Sequence, residues 1–404
     1  MKFSKLGQLF LVSSIGLLVA TLLTACQIVT IDYVFVASSG SSGTGSNGQI
    51  NTYAVDSASG ALRSVNSVVS SGGVGPVALA VSSDYENLYV ANQTNSTVVH
   101  FTIDLNGVLT QKETVTTPFQ PASIAVNASG TYLYAAGGTS PSEVAAYPLT
   151  SGALGSSAAA LAQLTVPNFT SDLLVPTAVT TLTDSGVVFV TAYDQSAYNP
   201  GGTATSSANP GWVFGFTVGS GGAMTAAAGS PFKAGIKPTS IVADPTNRYV
   251  YVTDYAQNQL IGYGIQSGST LDFLINGPFK TGNEPSAVVI DPRGKFLYVA
   301  NSLDSTVSAY SIDLSTGTPS GALNPVGNAT NPTDTQPVAI AADPAVGRFI
   351  FTANHLGNSV SGFILNPTSG TLTQTQATPY PTGANPTALV SIPHGNHSLQ
   401  SVTP

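Results

Sequence analysis

Lys237 and Glu284 occupy matching places in the chain, each directly before a proline, in the segments GIKP and GNEP. With Asp254 and His355 they form the set of titratable side chains that could attack a carbonyl carbon. Glu284 or His355 would activate a water, and Lys237 would steady the oxyanion that forms. A second set could hold a ligand without reacting: Lys233 and Lys280 as cations, Asp304, Asn301 and Asn354 as hydrogen-bonding groups. Tyr193 and Trp212, with Tyr198 between them, border the long segment 193–211 and could stack on a sugar ring. The competing explanation for all of these is turn hydrogen bonding and loop solubility.

Other signals carry less chemistry. His394 and His397 lack a third ligand nearby, so no metal site is expected. Gly43, Gly45 and Gly48 match a dinucleotide fingerprint, but a strand pattern follows them where a helix N-terminus would be needed, so no nucleotide cofactor is expected. Arg248, Arg293 and Arg348 fall in short turns and read as solvated charges.

The elements that must position these residues are written in a repeat. Pro-small-small-apolar recurs seven times, at Pro76, Pro121, Pro176, Pro238, Pro285, Pro337 and Pro386, at intervals of 45 to 62 residues. Each start leads to a turn such as DPTNR or DPRGK. An aromatic-rich strand then follows, as in NLYVAN, YVYVTD, FLYVAN and FIFTAN. A polar loop, an alternating strand such as TVSAYSID and a weaker outer strand complete the unit. Repeats of this period with four strands each predict propeller blades.

The termini complete the count. Asp32–Ser38 and Gln49–Val55 supply second and third strands with no first strand before them, and Pro386–Ile392 is a first strand with nothing after it. Joined, they make a seventh blade and remove two open sheet edges. The expected fold is an all-β, seven-bladed propeller over residues 33–392, with a tail at 393–404. In this fold the proline-preceding loops and the second-to-third strand loops share one face, where the mouth of the central channel lies. The turns carrying the arginines lie on the other face.

Charged residues make up only 7% of the 404-residue chain, against a usual ~25%. The formal charge is −8, and −10 without Lys2 and Lys5. An acidic, arginine-poor surface repels phosphate backbones and excludes nucleic acid as a partner. Residues 1–25 read as an export leader: two early lysines, an apolar run and small residues before a cleavage point. The sole cysteine, Cys26, follows Leu23-Thr24-Ala25, which resembles a bacterial lipobox. The expectation is a lipidated Cys26, a tether over 26–32 and a monomer held at the cell envelope by its lipid. Gln27 after the cysteine suggests the outer membrane of a two-membrane cell.

The units LYVANSLDSTVSAYSID and VYVTDYAQNQLIGYGI resemble the YVTN-type repeats of the lactonase-like seven-bladed propellers, the family of the 6-phosphogluconolactonase type. The resemblance spans about residues 31 to 392. It implies a carboxylic ester hydrolase in which a Gly-Pro-Arg-His element on one inner strand, with a glutamate, forms the active site. In this chain neither position after any of the seven prolines is Arg or His. No catalytic residue carries over, and two functions stay open. One is an exported propeller that binds a glycan, polymer or protein through its loop-rich face. The other is a lactone hydrolase with a divergent site.

Overall fold

The computed structural model describes residues 29–40, 47–65, 68–167, 173–196, 198, 211–314, 320–327 and 330–395. They form seven antiparallel sheets whose first strands neighbour one another around a central axis. Blades 2 to 7 open with Pro76–Val81, Pro121–Val126, Leu174–Thr181, Pro238–Ala243, Pro285–Ile290 and Pro337–Ala342. Blade 1 is shared between the ends of the chain. Pro386–Pro393 pairs antiparallel with Thr30–Ser38, in the register Tyr33 with Ile392, Phe35 with Val390 and Ala37 with Ala388. The ring is closed as the repeat predicts. The strand begins at Thr30, so residues 30–32, read from the sequence as tether, belong to the ring, and Asp32 is fully buried. Cys26, the leader and His397 lie outside the described residues.

The outer strand differs from expectation. Among the described residues only blade 2 has a continuous one, Leu109–Thr116; in the other six blades it is broken into two short pieces. Pro231, Pro278 and Pro379 sit in three of these interruptions. Proline has no N–H to give the ladder, so pairing stops there and resumes beyond.

The aromatic strands hold the blades together. Tyr89, Tyr251 and Tyr298 are fully buried, and each hydroxyl donates to a turn glycine of the next blade: Gly152 at 2.6 Å, Gly321 at 2.6 Å and Gly370 at 2.9 Å. Each such ring contributes on the order of 1.5–3 kcal/mol by burial, and its hydroxyl finds the partner that burial requires. On the face away from the mouth, Asp244, Asp291 and Asp343 accept backbone N–H groups of their own turns. Arg293 is not a solvated charge. Its guanidinium donates to the carbonyls of Val346 and Gly347 and ties blade 6 to blade 7.

Candidate functional site

At the mouth, each blade presents two neighbouring positions: the residue before its proline and the residue after its second strand. A backbone hydrogen bond joins them, as in Tyr255 N–H to the Lys237 carbonyl at 2.9 Å, Ser302 to Glu284 at 2.9 Å and His355 to Gln336 at 2.8 Å. The last residue of the second strand lies beneath this ring, paired with the proline. That buried position is Asn92, Asn301 and Asn354 in blades 2, 6 and 7, and Asp254 in blade 5.

The buried position is structural. Asn301 donates to Thr306 and Ser308 at 3.0 and 2.8 Å, and Asn354 donates to Ser359 and Ser361 at 3.0 and 2.9 Å. Asp254 accepts the N–H groups of Ile236 and Lys237 at 3.2 and 3.0 Å and the Gln259 amide at 3.1 Å. Burial raises its pKa, and these hydrogen bonds oppose the rise. Asp254 thus sets the backbone that carries Lys237. Gly235 of the same loop has φ +73°, and a Cβ there would stand 2.1 Å from Asp254 Oδ2, so only glycine fits.

Above this support, three blades converge. The Lys237 ammonium lies over the rings of Tyr255 at 4.3 Å, Tyr198 at 4.7 Å and Tyr193 at 5.7 Å, within cation–π range. The Tyr255 hydroxyl crosses to blade 6 and donates to Glu284 Oε2 at 2.7 Å, and Ser302 reaches the same oxygen at 3.4 Å. Glu284 itself has φ 55°, a left-handed conformation held by the Asn258 side chain, which accepts its N–H at 2.8 Å. Burial lowers the Lys237 pKa, against the pull of the Glu284 charge. Burial raises Tyr255, reinforced by its hydrogen bond to Glu284 and that charge; burial also raises Tyr198, reinforced by the charges of Glu284 and Asp254. The result is a cation and a carboxylate on adjacent blades with a tyrosine hydroxyl between them.

The other sequence candidates lie apart from this seam. His355 has the same ring position as Tyr255 but two blades on, with Nδ1 3.0 Å from the Pro386 carbonyl of blade 1. Lys233 and Lys280 are exposed on outer-strand pieces, where their carbonyls accept Tyr263 and Tyr310 hydroxyls. Asp304 holds the backbone and amide of Asn283 at 2.7 and 2.8 Å. Trp212 is half-buried on the third strand of blade 4, packed against the core between blades 3 and 4. Tyr193 meets Tyr198 edge-on at 5.9 Å. Residues 197 and 199–210 of that segment lie outside the described residues. Among the described residues no group of three or more His, Cys, Asp and Glu is placed to hold a metal.

Tyr255, Ser302 and Asn258 are site residues that sequence reasoning passed over. The signal was available for Tyr255, because it directly follows the aligned Asn/Asp column of the second strands. The positions after the prolines, where the resemblance leads one to look for Arg-His, carry a structural belt instead. Thr239 donates to the Pro285 carbonyl at 2.8 Å, Ser286 to Pro337 at 2.7 Å and Thr387 to Pro76 at 2.7 Å, each reaching the next blade.

Comparison with known proteins agrees with this architecture. The family model "Lactonase, 7-bladed beta-propeller" matches residues 46–168, 222–330 and 268–391. No curated protein matches the sequence. A periplasmic gluconolactonase of Pseudomonas aeruginosa superposes with TM-score 0.73 at 20% identity, covering 91% of this chain and 100% of that one. A Bacteroides fragilis protein of the 6-phosphogluconolactonase type gives 0.71 at 19%, covering 91% and 99%. The hydrazine synthase of Kuenenia stuttgartiensis gives 0.55 at 17%, covering 82% and 93%, so the fold serves unrelated chemistry. With family models covering most of the ring and a closed seven-blade architecture, the chain belongs to the lactonase family of seven-bladed β-propellers.

Proposed function

We propose that the protein is an envelope-bound propeller whose channel mouth binds a hydroxylated ligand carrying a carboxylate or lactone carbonyl at the Lys237–Tyr255–Glu284 seam. The carrying observation is the placement of one half-buried cation beside a carboxylate whose Oε2 already accepts a tyrosine proton. The ammonium suits a carboxylate or carbonyl oxygen, and the remaining Glu284 oxygen suits a sugar hydroxyl.

Family membership and the same geometry favour a second reading, hydrolysis of an aldonolactone. Glu284 Oε1 would take a proton from the water as it attacks the carbonyl, Lys237 would hold the oxyanion, and on collapse Glu284 would return that proton to the departing ring oxygen, giving the hydroxy acid. Similarity to a gluconolactonase supports this class of substrate without fixing it.

Attachment through a lipidated Cys26 belongs to the same proposal. An extended chain spans at most ~3.3–3.6 Å per residue. The first described strand begins at Thr30, on the face opposite the mouth. A membrane anchor at Cys26 therefore stays within about 14 Å of that face and turns the mouth toward solvent. A Cys26→Ser variant that remains acylated and membrane-bound would refute the anchor.

The site is tested by titrating D-gluconate calorimetrically and following D-glucono-δ-lactone in a pH-stat. Lys237→Ala should weaken gluconate by about tenfold, the scale of one charged hydrogen bond. Lactone turnover above the spontaneous rate that disappears in Glu284→Gln establishes the hydrolase reading. Turnover absent from the wild type leaves binding as the function, and gluconate affinity unchanged in both variants removes the site.

A further inference from the structure

On the mouth between blades 2, 3 and 4 lies a pocket of about 330 Å³ that uses none of the residues above. It exists because blade 3 carries Gly137 and Gly138 where blades 2, 6 and 7 carry a buried Asn followed by a ring side chain. The glycines are required. A Cβ on Gly137 would stand 2.1 Å from the Gln120 carbonyl oxygen and 2.7 Å from the Phe119 ring, and Gly138 has φ +76°. The space that Tyr255 fills at this ring position in blade 5, and Ser302 in blade 6, is left open to solvent in blade 3.

The lining has a definite chemistry. Gln93, Gln120, Thr139, Ser140 and Glu143 supply two amides, two hydroxyls and a single ionised group. Other polar groups at the mouth are committed, for example Asp304 to Asn283 and Ser71 to Asn92. Here, among the described residues, none of the five side chains has a hydrogen-bond partner in the protein. Phe119 and Val175 give the pocket apolar surface. Its volume is at the small end of ligand pockets, which run from about 300 Å³ upward.

Uncommitted amides and hydroxyls around an apolar patch match a ring with hydroxyls at its edge and C–H groups on its faces. We infer that this pocket is a subsite for one neutral sugar residue, separate from the Lys237–Tyr255–Glu284 seam and independent of the function proposed for it. Among the described residues Glu143 is the one charged side chain lining the pocket and no cation stands there to offset a carboxylate, so the pocket selects against sugar acids.

Saturation-transfer NMR on the full chain tests this, with D-glucose, D-galactose and N-acetyl-D-glucosamine as neutral probes and D-gluconate as the anion. At least one neutral probe should show transfer. Ala122→Phe, which projects a ring into the pocket from the first strand of blade 3, should abolish it. The exposed Gln120→Ala tests the same site without threatening the fold and should weaken binding by about tenfold. Glu143→Gln should keep the neutral sugar and let gluconate displace it, which the wild type resists, while Lys237→Ala should leave neutral-sugar binding unchanged. The inference fails if no neutral probe shows transfer at tens of millimolar, or if transfer survives both Ala122→Phe and Gln120→Ala. It also fails if transfer is lost in Lys237→Ala, which would assign the sugar to the seam instead.

Discussion

Replacing Asp254 by alanine should uncouple Lys237 from the ring and cost about 2–4 kcal/mol. The carboxylate is fully buried and accepts two backbone donors, Ile236 N–H at 3.2 Å and Lys237 N–H at 3.0 Å. Each buried donor left without a partner costs about 1–3 kcal/mol, and the removed desolvation of the carboxylate returns part of the sum. Asparagine should be milder, about 1 kcal/mol, because its oxygen still accepts these N–H groups. It is not neutral. The asparagines at the same place in blades 6 and 7 donate to hydroxyls on the third strand, Thr306 and Ser308 or Ser359 and Ser361, whereas blade 5 offers Gln259 and Ile261 there. The pH dependence has a definite sign. A carboxyl whose folded pKa is raised adds stability while protonated, and that contribution falls as pH climbs from the ordinary carboxylate range through the raised value. The advantage of wild type over Asp254→Asn should therefore narrow between about pH 4 and pH 7. Urea unfolding of wild type, Asp254→Ala and Asp254→Asn at both pH values measures all of this. An alanine variant within about 0.5 kcal/mol of wild type, or a gap to asparagine that widens with pH, would refute the supporting role.

Three further outcomes follow from the same geometry. Asp32 is buried, and burial, then the charge of Asp343 and a side-chain hydrogen bond with it, raise its pKa well above the usual range. Asp32→Asn should therefore raise stability at pH 7 by about 1–3 kcal/mol and change it little at about pH 3, as read by paired urea titrations. Thr387→Ala removes the 2.7 Å bond to the Pro76 carbonyl that links blade 1 to blade 2 and should cost about 1 kcal/mol, matching Thr239→Ala and Ser286→Ala at their own seams. Gluconate affinity should fall on the alkaline side at a lower pH than an ordinary lysine would give, because burial depresses the Lys237 pKa, and this alkaline limb should be missing in Lys237→Ala.

The ring was legible because each proline-led unit repeats the same strand grammar, and because the unmatched strands at the two ends could complete only one another. The broken outer strands were not legible, since those segments are short and only prolines such as Pro278 mark the interruptions. The adjacency of Lys237 and Glu284 was readable from their matching places on successive blades. The nature of their coupling was not, because the Tyr255 bond to Glu284 joins residues 29 apart across a blade boundary. Asp254 was read as a reactive group; the structure gives it a supporting role under Lys237, which its column, with asparagine at Asn92, Asn301 and Asn354, hints at. His355 occupies an equivalent ring position one blade beyond Glu284, but nothing in the sequence shows that its Nδ1 turns onward to the Pro386 carbonyl of blade 1. The pocket at Gly137 and Gly138 is invisible in sequence for a general reason: it is made by missing side chains, and motifs record only those present.

A crystal structure of the chain soaked with D-gluconate bears most directly on the mouth as a binding site. The expected result is a carboxylate within hydrogen-bond distance of Lys237 Nζ and a ligand hydroxyl on Glu284. Gluconate ordered only elsewhere, or a saturated crystal in which Lys237 still rests against the three tyrosine rings with no ligand beside it, would contradict the assignment.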